Sequence, residues 1–398
     1  MAKSPTIYRL AADRQYGAIP SRVQSHPEDL NWHDRYGSLA LHILCQARAV
    51  DEPLLAAVDA ILKVTPEQVA WANVATWTPL HFAVEKRLAW GNDRNATALI
   101  LRLIRACPSA VSVQTHSGFK TKTPFHIACE ADADYGVLKA MLTINPNLAT
   151  EPYVKKDVYS VVENPLQLLW KNNKHSISTN HNHNHHNNNN HHNSLRSQRH
   201  TKEKMALLLK AAHYGTVRTL PAGRTFRLLN AACSVRCPRD YFTLVLQEHQ
   251  DQIDQQDEDG LLPLHYAVMN ASPDSQAYTH FVVEALLEAY PQGASIADSD
   301  GRLPLHVAVS DALMTWHKGG VRELTFSYPN ALRRRDTLTG LVPFLASASV
   351  ANKSRLHLST TFELLLAAPE MVQSGTKVIT EDSSTLLSDR WTVVEDFP

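Results

Sequence analysis

Histidine is the residue whose type and spacing could do chemistry in this chain. Residues 180–193 contain only Asn and His, and the six histidines are His181, His183, His185, His186, His191 and His192. Neutral imidazole is a good ligand for Zn²⁺ and softer divalent ions, so metal binding or sensing through this run is one hypothesis. The alternative is a tolerated expansion of a repetitive stretch in a surface loop, and weak metal affinity is compatible with both.

Five other histidines recur at intervals of a few tens of residues, at His42, His81, His126, His265 and His306. No Cys, Asp or Glu pattern converges on them, and one histidine per interval fits a structural role. The chain also lacks a phosphate-binding glycine loop, a Gly-x-Ser-x-Gly turn, a His-Glu-x-x-His helix and a kinase signature set. We therefore predict no catalytic, cofactor-binding or metal residues and expect that the protein is not an enzyme.

The positions of the cysteines also favour a structural role over catalysis or metal binding. Cys45, Cys129 and Cys233 each follow a histidine, or the residue that stands in its place, by three positions. This shared slot predicts small buried core residues in a reducing compartment. Cys233 and Cys237 are separated by three residues, but no second pair with zinc-finger spacing accompanies them, which argues against a structural zinc site.

The five histidines belong to a repeated phrase. Thr-Pro-Leu-His-Phe-Ala at 78–83 returns as Thr-Pro-Phe-His-Ile-Ala at 123–128, and shorter copies occupy 263–267 and 304–308. Weaker copies stand at 7–12, 39–44, 164–169, 228–232 and 342–346. Such a period is typical of stacked similar units rather than one closed globule.

The phrase has the features of a helix start. Thr78 and Thr123 are good N-caps, and the proline that follows suits the first helical position. A second apolar run at helical spacing follows each phrase, at 54–63, 98–105, 137–143, 204–211, 241–247, 281–289, 321–326 and 362–367. Several of these runs stop at a proline, which cannot continue a helix.

A turn signal precedes several phrases. Gly37, Gly260, Gly301 and Gly340 each lie five residues before the histidine position, and Asp34, Asp259, Asp300 and Asp336 accompany them. Asp and Gly both favour tight turns, and Gly adopts positive φ without steric cost. Each unit is therefore predicted to begin with a short hairpin-like loop.

This layout resembles the ankyrin repeat family, whose signature is Thr-Pro-Leu-His-x-Ala. The resemblance covers about positions 5–370 and implies an all-α fold, a solenoid of about nine helix-turn-helix units with short hairpin-like loops. Most periods are longer than the family's, and glycines between paired helices are mostly absent, which suggests a divergent branch. We predict a solenoid over residues 1–370, with the first unit as an N-terminal cap.

Two segments fall outside this pattern. Residues 174–201, around the Asn/His run, have almost nothing apolar to bury and are predicted to be a disordered insertion within one repeat. The insertion lies in the turn between two paired helices, so it should loop out without breaking the stack. Residues 371–398 are predicted to be a C-terminal tail or end cap.

The amino-acid composition limits the classes of partner that we expect for this protein. Lys plus Arg is 39 and Asp plus Glu is 39, so no global charge favours nucleic acid or an anionic membrane. The N-terminal residues form no secretory signal, and no apolar run is long enough to span a membrane. We expect a monomer located in the cytoplasm, with the nucleus as the alternative.

The resemblance implies a non-catalytic scaffold or adaptor that binds a partner protein on the concave face of the stack. It places contacts around the turn glycine and after the last Ala of the phrase. The residues that match are Trp77, Glu85, Lys86, Glu130, Asp259, Met269, Asn270, Asp300, Arg302, Ser310 and Asp311. Trp77 could anchor a pocket on the partner; alternatively, it packs against the neighbouring loop. Replacing Trp77, Arg302 and Met269 together is predicted to abolish binding without unfolding the chain.

Overall fold

The structure is a computed structural model that describes residues 6–90, 94–115, 120–155, 162–178, 188–220, 222–310, 314–350 and 355–371. Its residues fall into two compact units, Met1–Ala222 and Gly223–Pro398.

The described residues of the first unit form five pairs of helices. They are α1 (Thr6–Ala12) with α2 (Ile19–Ser25), α3 (Ala40–Cys45) with α4 (Glu52–Val64), α5 (Pro79–Trp90) with α6 (Arg94–Ala106), α7 (Pro124–Glu130) with α8 (Tyr135–Ile144), and α9 (Pro165–Ser178) with α10 (Asn188–Tyr214). First helices contact one another in the order α1, α3, α5, α7, α9, and second helices in the order α2, α4, α6, α8, α10. Each pair therefore packs against the next pair along the chain.

In the part of the second unit that the structure describes, this arrangement is repeated with four pairs. They are α11 (Leu228–Cys233) with α12 (Arg239–Glu248), α13 (Pro263–Met269) with α14 (Gln276–Ala289), α15 (Pro304–Ser310) with α16 (Val321–Ser327), and α17 (Pro343–Val350) with α18 (Arg355–Ala367). First helices contact in the order α11, α13, α15, α17, and α12 contacts α14, which contacts α16. Both units belong to the all-α class.

Three short strands accompany the helices among the residues described for the first unit. β1 (Lys120–Thr121), β2 (Tyr153–Lys155) and β3 (Val162–Glu163) form an antiparallel sheet in the order β1-β2-β3. Thr121 pairs with Val154, and Val154 pairs in turn with Val162. The sheet joins the loop before α7 to the loop before α9, and the sequence analysis did not predict it.

The helices occupy the predicted positions for local reasons. α5, α7, α9, α13, α15 and α17 all begin at the proline of the phrase, where the missing N–H leaves no bond unmade. The Ala that closes the phrase is buried at Ala83, Ala128, Ala267 and Ala308. A small side chain there lets neighbouring helices approach closely. The second runs predicted from apolar spacing all lie within α4, α6, α8, α10, α12, α14, α16 and α18.

The proline after a second helix does more than stop it. Six such prolines open a short 3₁₀ turn, at Pro27–Asn31, Pro66–Ala70, Pro108–Ser112, Pro146–Ala149, Pro291–Ser295 and Pro329–Arg333, whereas Pro369 after α18 does not. The third residue after the proline is buried in every case: Leu30, Val69, Val111, Ala149, Ala294 and Leu332. The turn therefore adds one apolar side chain to the core and leads the chain back toward the next loop.

The Asn/His-rich insertion differs from the expectation at both of its flanks. Helix α9 continues to Ser178 and α10 begins at Asn188, so helix covers parts of 174–201 where disorder was predicted. Residues 179–187 lie outside the described residues, as does the predicted tail from 372 onward.

A polar cluster holds α9 and α10 together at the base of this insertion. Lys204 donates to the Asp132 carboxylate over 2.7 Å, Asn173 donates to the same carboxylate over 3.2 Å, and Thr201 donates to Asn173 over 3.3 Å. Because these bonds anchor both helices, the helical hydrogen-bond pattern can continue into a polar sequence.

Candidate partner-binding surface

The histidine of the phrase fixes the start of its own helix. In each of the five copies the imidazole Nδ1 accepts a hydrogen bond from the backbone N–H three residues earlier, over 3.1–3.2 Å. That N–H belongs to the N-cap residue, which the helix itself leaves without a partner. Thr78 and Thr123 add a hydroxyl within 2.7 and 2.8 Å of the same nitrogen.

The other imidazole nitrogen reaches the loop of the next helix pair. The Nε2 atom of His42 lies 3.2 Å from the Trp77 carbonyl, and that of His81 lies 3.3 Å from the Lys122 carbonyl. The Nε2 atom of His126 lies 2.9 Å from the Glu151 carbonyl, and that of His306 lies 3.1 Å from the Arg334 carbonyl. Since Nδ1 accepts and a carbonyl can only accept, these rings are neutral and carry their proton on Nε2. Each of these four rings therefore links two successive helix pairs.

His265 departs from this pattern. Its Nε2 is buried and has no hydrogen-bond partner of normal geometry, although the Arg302 carbonyl is close enough to favour the protonated ring. Burial is the larger effect and lowers the pKa of His265. An imperfectly satisfied buried nitrogen marks this junction as less well bonded than the other four.

Burial governs the acid–base behaviour of all five rings. Loss of solvation lowers the pKa of His42 and of His81 to about 4, and it lowers the pKa of His126 and His306 as well. The backbone carbonyl on Nε2 opposes this effect without cancelling it. The rings are therefore uncharged at neutral pH and locked in structural bonds.

Metal binding finds no site within the described part of the chain. No group of three or more His, Cys, Asp or Glu side chains is placed there so as to hold an ion. The six histidines of the Asn/His run are not among the side chains that the structure describes. Metal binding through that run therefore stays a prediction.

All five cysteines are free and buried, as the sequence analysis expected for the three that share one slot. Loss of solvation raises the pKa of Cys45, Cys129 and Cys233, and raises the pKa of Cys237 to about 12. These thiols are protonated at neutral pH and are poor nucleophiles.

In two of the four turns before the helices, the aspartate that bonds to the turn is not the one named from the sequence. Asp34 and Asp336 accept backbone N–H bonds inside their turns as expected, but in the turns at Gly260 and Gly301 the carboxylates that do so belong to Asp257 and Asp298. Asp259 and Asp300 instead lie exposed at the tips. The four turn glycines have φ between +70° and +79°.

Successive tips are joined to each other. The carbonyl of Tyr36 accepts from the Val74 N–H over 2.8 Å, and the carbonyl of Asp259 accepts from the Ser299 N–H over 3.2 Å. The carbonyl of Asp300 accepts from the Thr337 hydroxyl over 2.6 Å. Three successive tips of the second unit therefore form a hydrogen-bonded row, and two tips of the first unit are joined to each other, so these loops can present side chains to a partner.

Six of the predicted contact residues have exposed side chains: Glu85, Glu130, Asp259, Met269, Asn270 and Asp300. Some already have ionic partners, since Glu130 pairs with Lys122, and Asp259 lies 3.2 Å from Arg224. Lys86 is half-buried beside Glu85, and Asp311 lies outside the described residues.

Trp77 is not an exposed anchor. Its side chain is half-buried, and its ring lies 5.1 Å from that of Phe82 and 5.8 Å from that of His81, centroid to centroid. The alternative to a partner contact was packing against the neighbouring loop, but these two ring contacts are with the start of its own helix α5. An indole beside a helix cap is favourable there because its apolar rings leave water.

Arg302 and Ser310 are also committed to internal bonds. The Arg302 guanidinium lies 3.1 Å from the Asp336 carboxylate and donates to the Ser310 hydroxyl over 2.9 Å. The Asp336 side chain is only 1% exposed and that of Arg302 16%. The triple variant of Trp77, Arg302 and Met269 would therefore damage the fold as well as the surface, and it cannot test binding cleanly.

The structure brings together three exposed apolar side chains that the sequence analysis did not single out. Tyr36, Trp71 and Val74 are 54%, 47% and 74% exposed, and we call this group the loop patch. The Trp71 indole N–H donates to the Gly37 carbonyl over 3.1 Å, and its ring lies 6.2 Å from that of His33. The Arg35 guanidinium lies over the Tyr36 ring at 4.7 Å.

One sequence signal pointed to part of this patch. Tyr36 directly precedes Gly37, and positions around the turn glycine were the ones expected to meet a partner. Trp71 carried no such signal, because it lies at the end of a 3₁₀ turn that was not predicted.

No protein-family model matches the chain, and no curated protein matches it significantly. Within the part of the chain that the structure describes, no helix combines the length and apolar character needed to cross a membrane.

Proposed function

We propose that the chain is a divergent ankyrin-repeat solenoid. Three observations support this: the repeated phrase, the helix pairs that contact their neighbours in sequence order, and the imidazole that links each helix start to the next loop in four copies. In this architecture an apolar helix face that one pair cannot bury alone is covered by its neighbour.

The function we propose is that of a non-catalytic scaffold that binds another protein. The loop patch carries this proposal, because large apolar side chains gathered on fixed loops are the usual anchors of protein interfaces. The tips that hold Tyr36 and Val74 are bonded to each other through the backbone, so little order has to be gained on binding. The balanced charge supports a protein partner over nucleic acid.

A matched pair of substitutions tests this function. Val74 and Leu338 occupy the same turn position, two residues before Thr76 and Gly340, and are 74% and 72% exposed. Proteins captured from native cells by the wild type would be quantified against Val74→Asp and Leu338→Asp. A specific partner should bind Val74→Asp roughly 30-fold more weakly, as expected when a hot spot of about 2 kcal/mol is lost.

Leu338→Asp should keep that partner, and both variants should unfold at the same denaturant concentration as the wild type. Equal capture by all three proteins would contradict binding through the loop patch. We further propose a monomer located in the cytoplasm, which size-exclusion chromatography and cell fractionation would check.

A further inference from the structure

The last helix of the second unit carries an apolar stripe that the described residues do not cover. Leu358, Phe362 and Leu366 of α18 are 58%, 60% and 59% exposed. Their spacing of four residues places them on one face of the helix. Three large apolar side chains in a row are unusual on a surface that meets only water.

The stripe stands out against the equivalent positions of α14. Both helices end two residues before a proline, Pro291 or Pro369, which fixes the register between them. Counted from that proline, the positions of Leu358, Phe362 and Leu366 are held in α14 by His280, Glu284 and Glu288. The last pair has therefore replaced polar side chains by apolar ones at these positions.

Contacts in α14 show which way this face points. His280 Nε2 lies 3.2 Å from the Glu323 carboxylate on α16, so its register position reaches toward the following pair. Glu363 of α18 has the register of Glu323, and it lies 3.8 Å from His317 in the loop before α16. The face carrying Glu363 thus meets the preceding pair. Leu358 is therefore directed to the side where a further pair would pack, while Phe362 and Leu366 hold positions that stay exposed in α14 although α16 packs beside it.

The chain continues past Met371 for residues 372–398, which include Leu386, Leu387, Trp391, Val393 and Val394. We propose that this C-terminal segment binds the apolar stripe of α18. Fourteen residues, 372–385, separate Met371 from Leu386. At up to about 3.3 Å per residue they span about 50 Å, well beyond the roughly 20 Å length of α18.

The covalent connection between α18 and the C-terminal segment favours this segment over a second copy of the chain as the occupant of the stripe. A segment joined by a short linker is present at an effective concentration in the millimolar range. A second copy at micromolar concentration competes poorly with it. The segment is therefore the favoured occupant of the stripe, and a dimer through α18 is the alternative that the test must separate.

Photo-crosslinking on the full chain makes this separation. Benzoylphenylalanine would replace Phe362, and, as a matched control at the same register, Glu284. A mixture of isotopically light and heavy chains is irradiated and the crosslinked peptides are identified. We expect crosslinks from position 362 to peptides of 372–398 in the same chain, and none to that segment from position 284. Mixed light–heavy crosslinks, or no crosslink from position 362, would overturn the proposal.

Proteolysis gives an independent readout. Trypsin cuts after Arg390, which lies among the apolar residues proposed to be bound. Phe362→Asp should speed this cut about tenfold, which corresponds to about 1.4 kcal/mol of lost binding. Phe326→Asp removes an exposed Phe from α16 and should leave the rates unchanged. Equal rates in Phe362→Asp and the wild type would contradict the proposal even if both proteins are fully folded.

Discussion

The Nε2 atom of His42 lies 3.2 Å from the carbonyl oxygen of Trp77, 35 residues further along the chain. Nδ1 of the same ring accepts the N–H of Leu39 over 3.1 Å. One uncharged imidazole therefore fixes a helix start and the following loop together. Protonation of Nδ1 would replace the first bond by a clash of two donors.

This arrangement predicts a protein that loses stability in mild acid. The folded state keeps His42 and His81 at a pKa of about 4, below the ordinary value near 6.5, so the unfolded chain binds more protons in between. The free energy of unfolding should be steady above about pH 6.5 and fall as the pH drops toward 4. The limit is about 3 kcal/mol for each of these two rings.

Denaturant unfolding at several pH values measures this slope, and Gln167 suggests the control. Gln167 occupies the histidine position of its phrase, and its side-chain oxygen accepts the Asn164 N–H over 3.0 Å. His81→Gln should therefore keep the helix cap while removing one titrating ring, and the slope should become shallower. A slope identical to that of the wild type would show that His81 does not titrate in this range.

Gly260 is expected to tolerate no side chain. Its φ is +71°, and a β-carbon there would lie 2.5 Å from the backbone nitrogen of Ser299. Gly340 has φ +70° but nothing within 4 Å of an added β-carbon. Gly340→Ala should cost about 1–2 kcal/mol of unfolding free energy from backbone strain alone.

Gly260→Ala should cost clearly more than Gly340→Ala, because the neighbouring loop has to move as well. The two unfolding free energies, measured under the same conditions, give the comparison. Equal losses would mean that the contact between these two loops is not tight in solution.

Thr76 occupies the position that glycine holds in other turns and should be improved by glycine. Its φ is +63°, where a β-branched residue is strained. Thr76→Gly should raise the unfolding free energy by roughly 1 kcal/mol, since the relief of strain exceeds the extra entropy of an unfolded glycine. Gly37→Ala, with φ +72° in the preceding turn, should shift stability in the opposite direction.

Arg302 should prove a stability residue. Arg302→Ala leaves the buried Asp336 carboxylate without its cation, although the Leu338 N–H and the Thr339 hydroxyl still bond to it. We expect a loss of about 2 kcal/mol in unfolding free energy. Arg224→Ala removes the partner of the exposed Asp259 and should cost no more than about 0.5 kcal/mol. Equal costs would contradict a structural role for Arg302.

The sequence predicted the helices well because their signals are local. The proline at the start of α5 or α7 and the apolar spacing within α4 or α14 depend only on neighbouring residues. The prolines at 66 and 329 were interpreted as stops, and that was incomplete. Whether such a proline opens a 3₁₀ turn depends on the core position available to Val69 or Leu332, which spacing cannot reveal.

The candidate surface was harder to predict because exposure depends on tertiary contacts. Trp77 and Arg302 occupy positions where the family resemblance implied contact with a partner, yet Phe82 and Asp336 already engage them. Trp71 bonds to Gly37, and Val74 to Tyr36, only because the loop of one pair lies against the loop of the next. Sequence reasoning assigns a residue to a turn, but it does not say which turn side chains remain free.

The succession of contacts from one helix pair to the next also has a mechanical consequence. A pulling force on either unit would not meet a single core that must break at once, because the principal contacts of a pair run to its immediate neighbours. Pairs would detach one after another, each at a modest load. Within one unit, extension should therefore be gradual, with the poorly bonded His265 junction as the first to give way in the second unit.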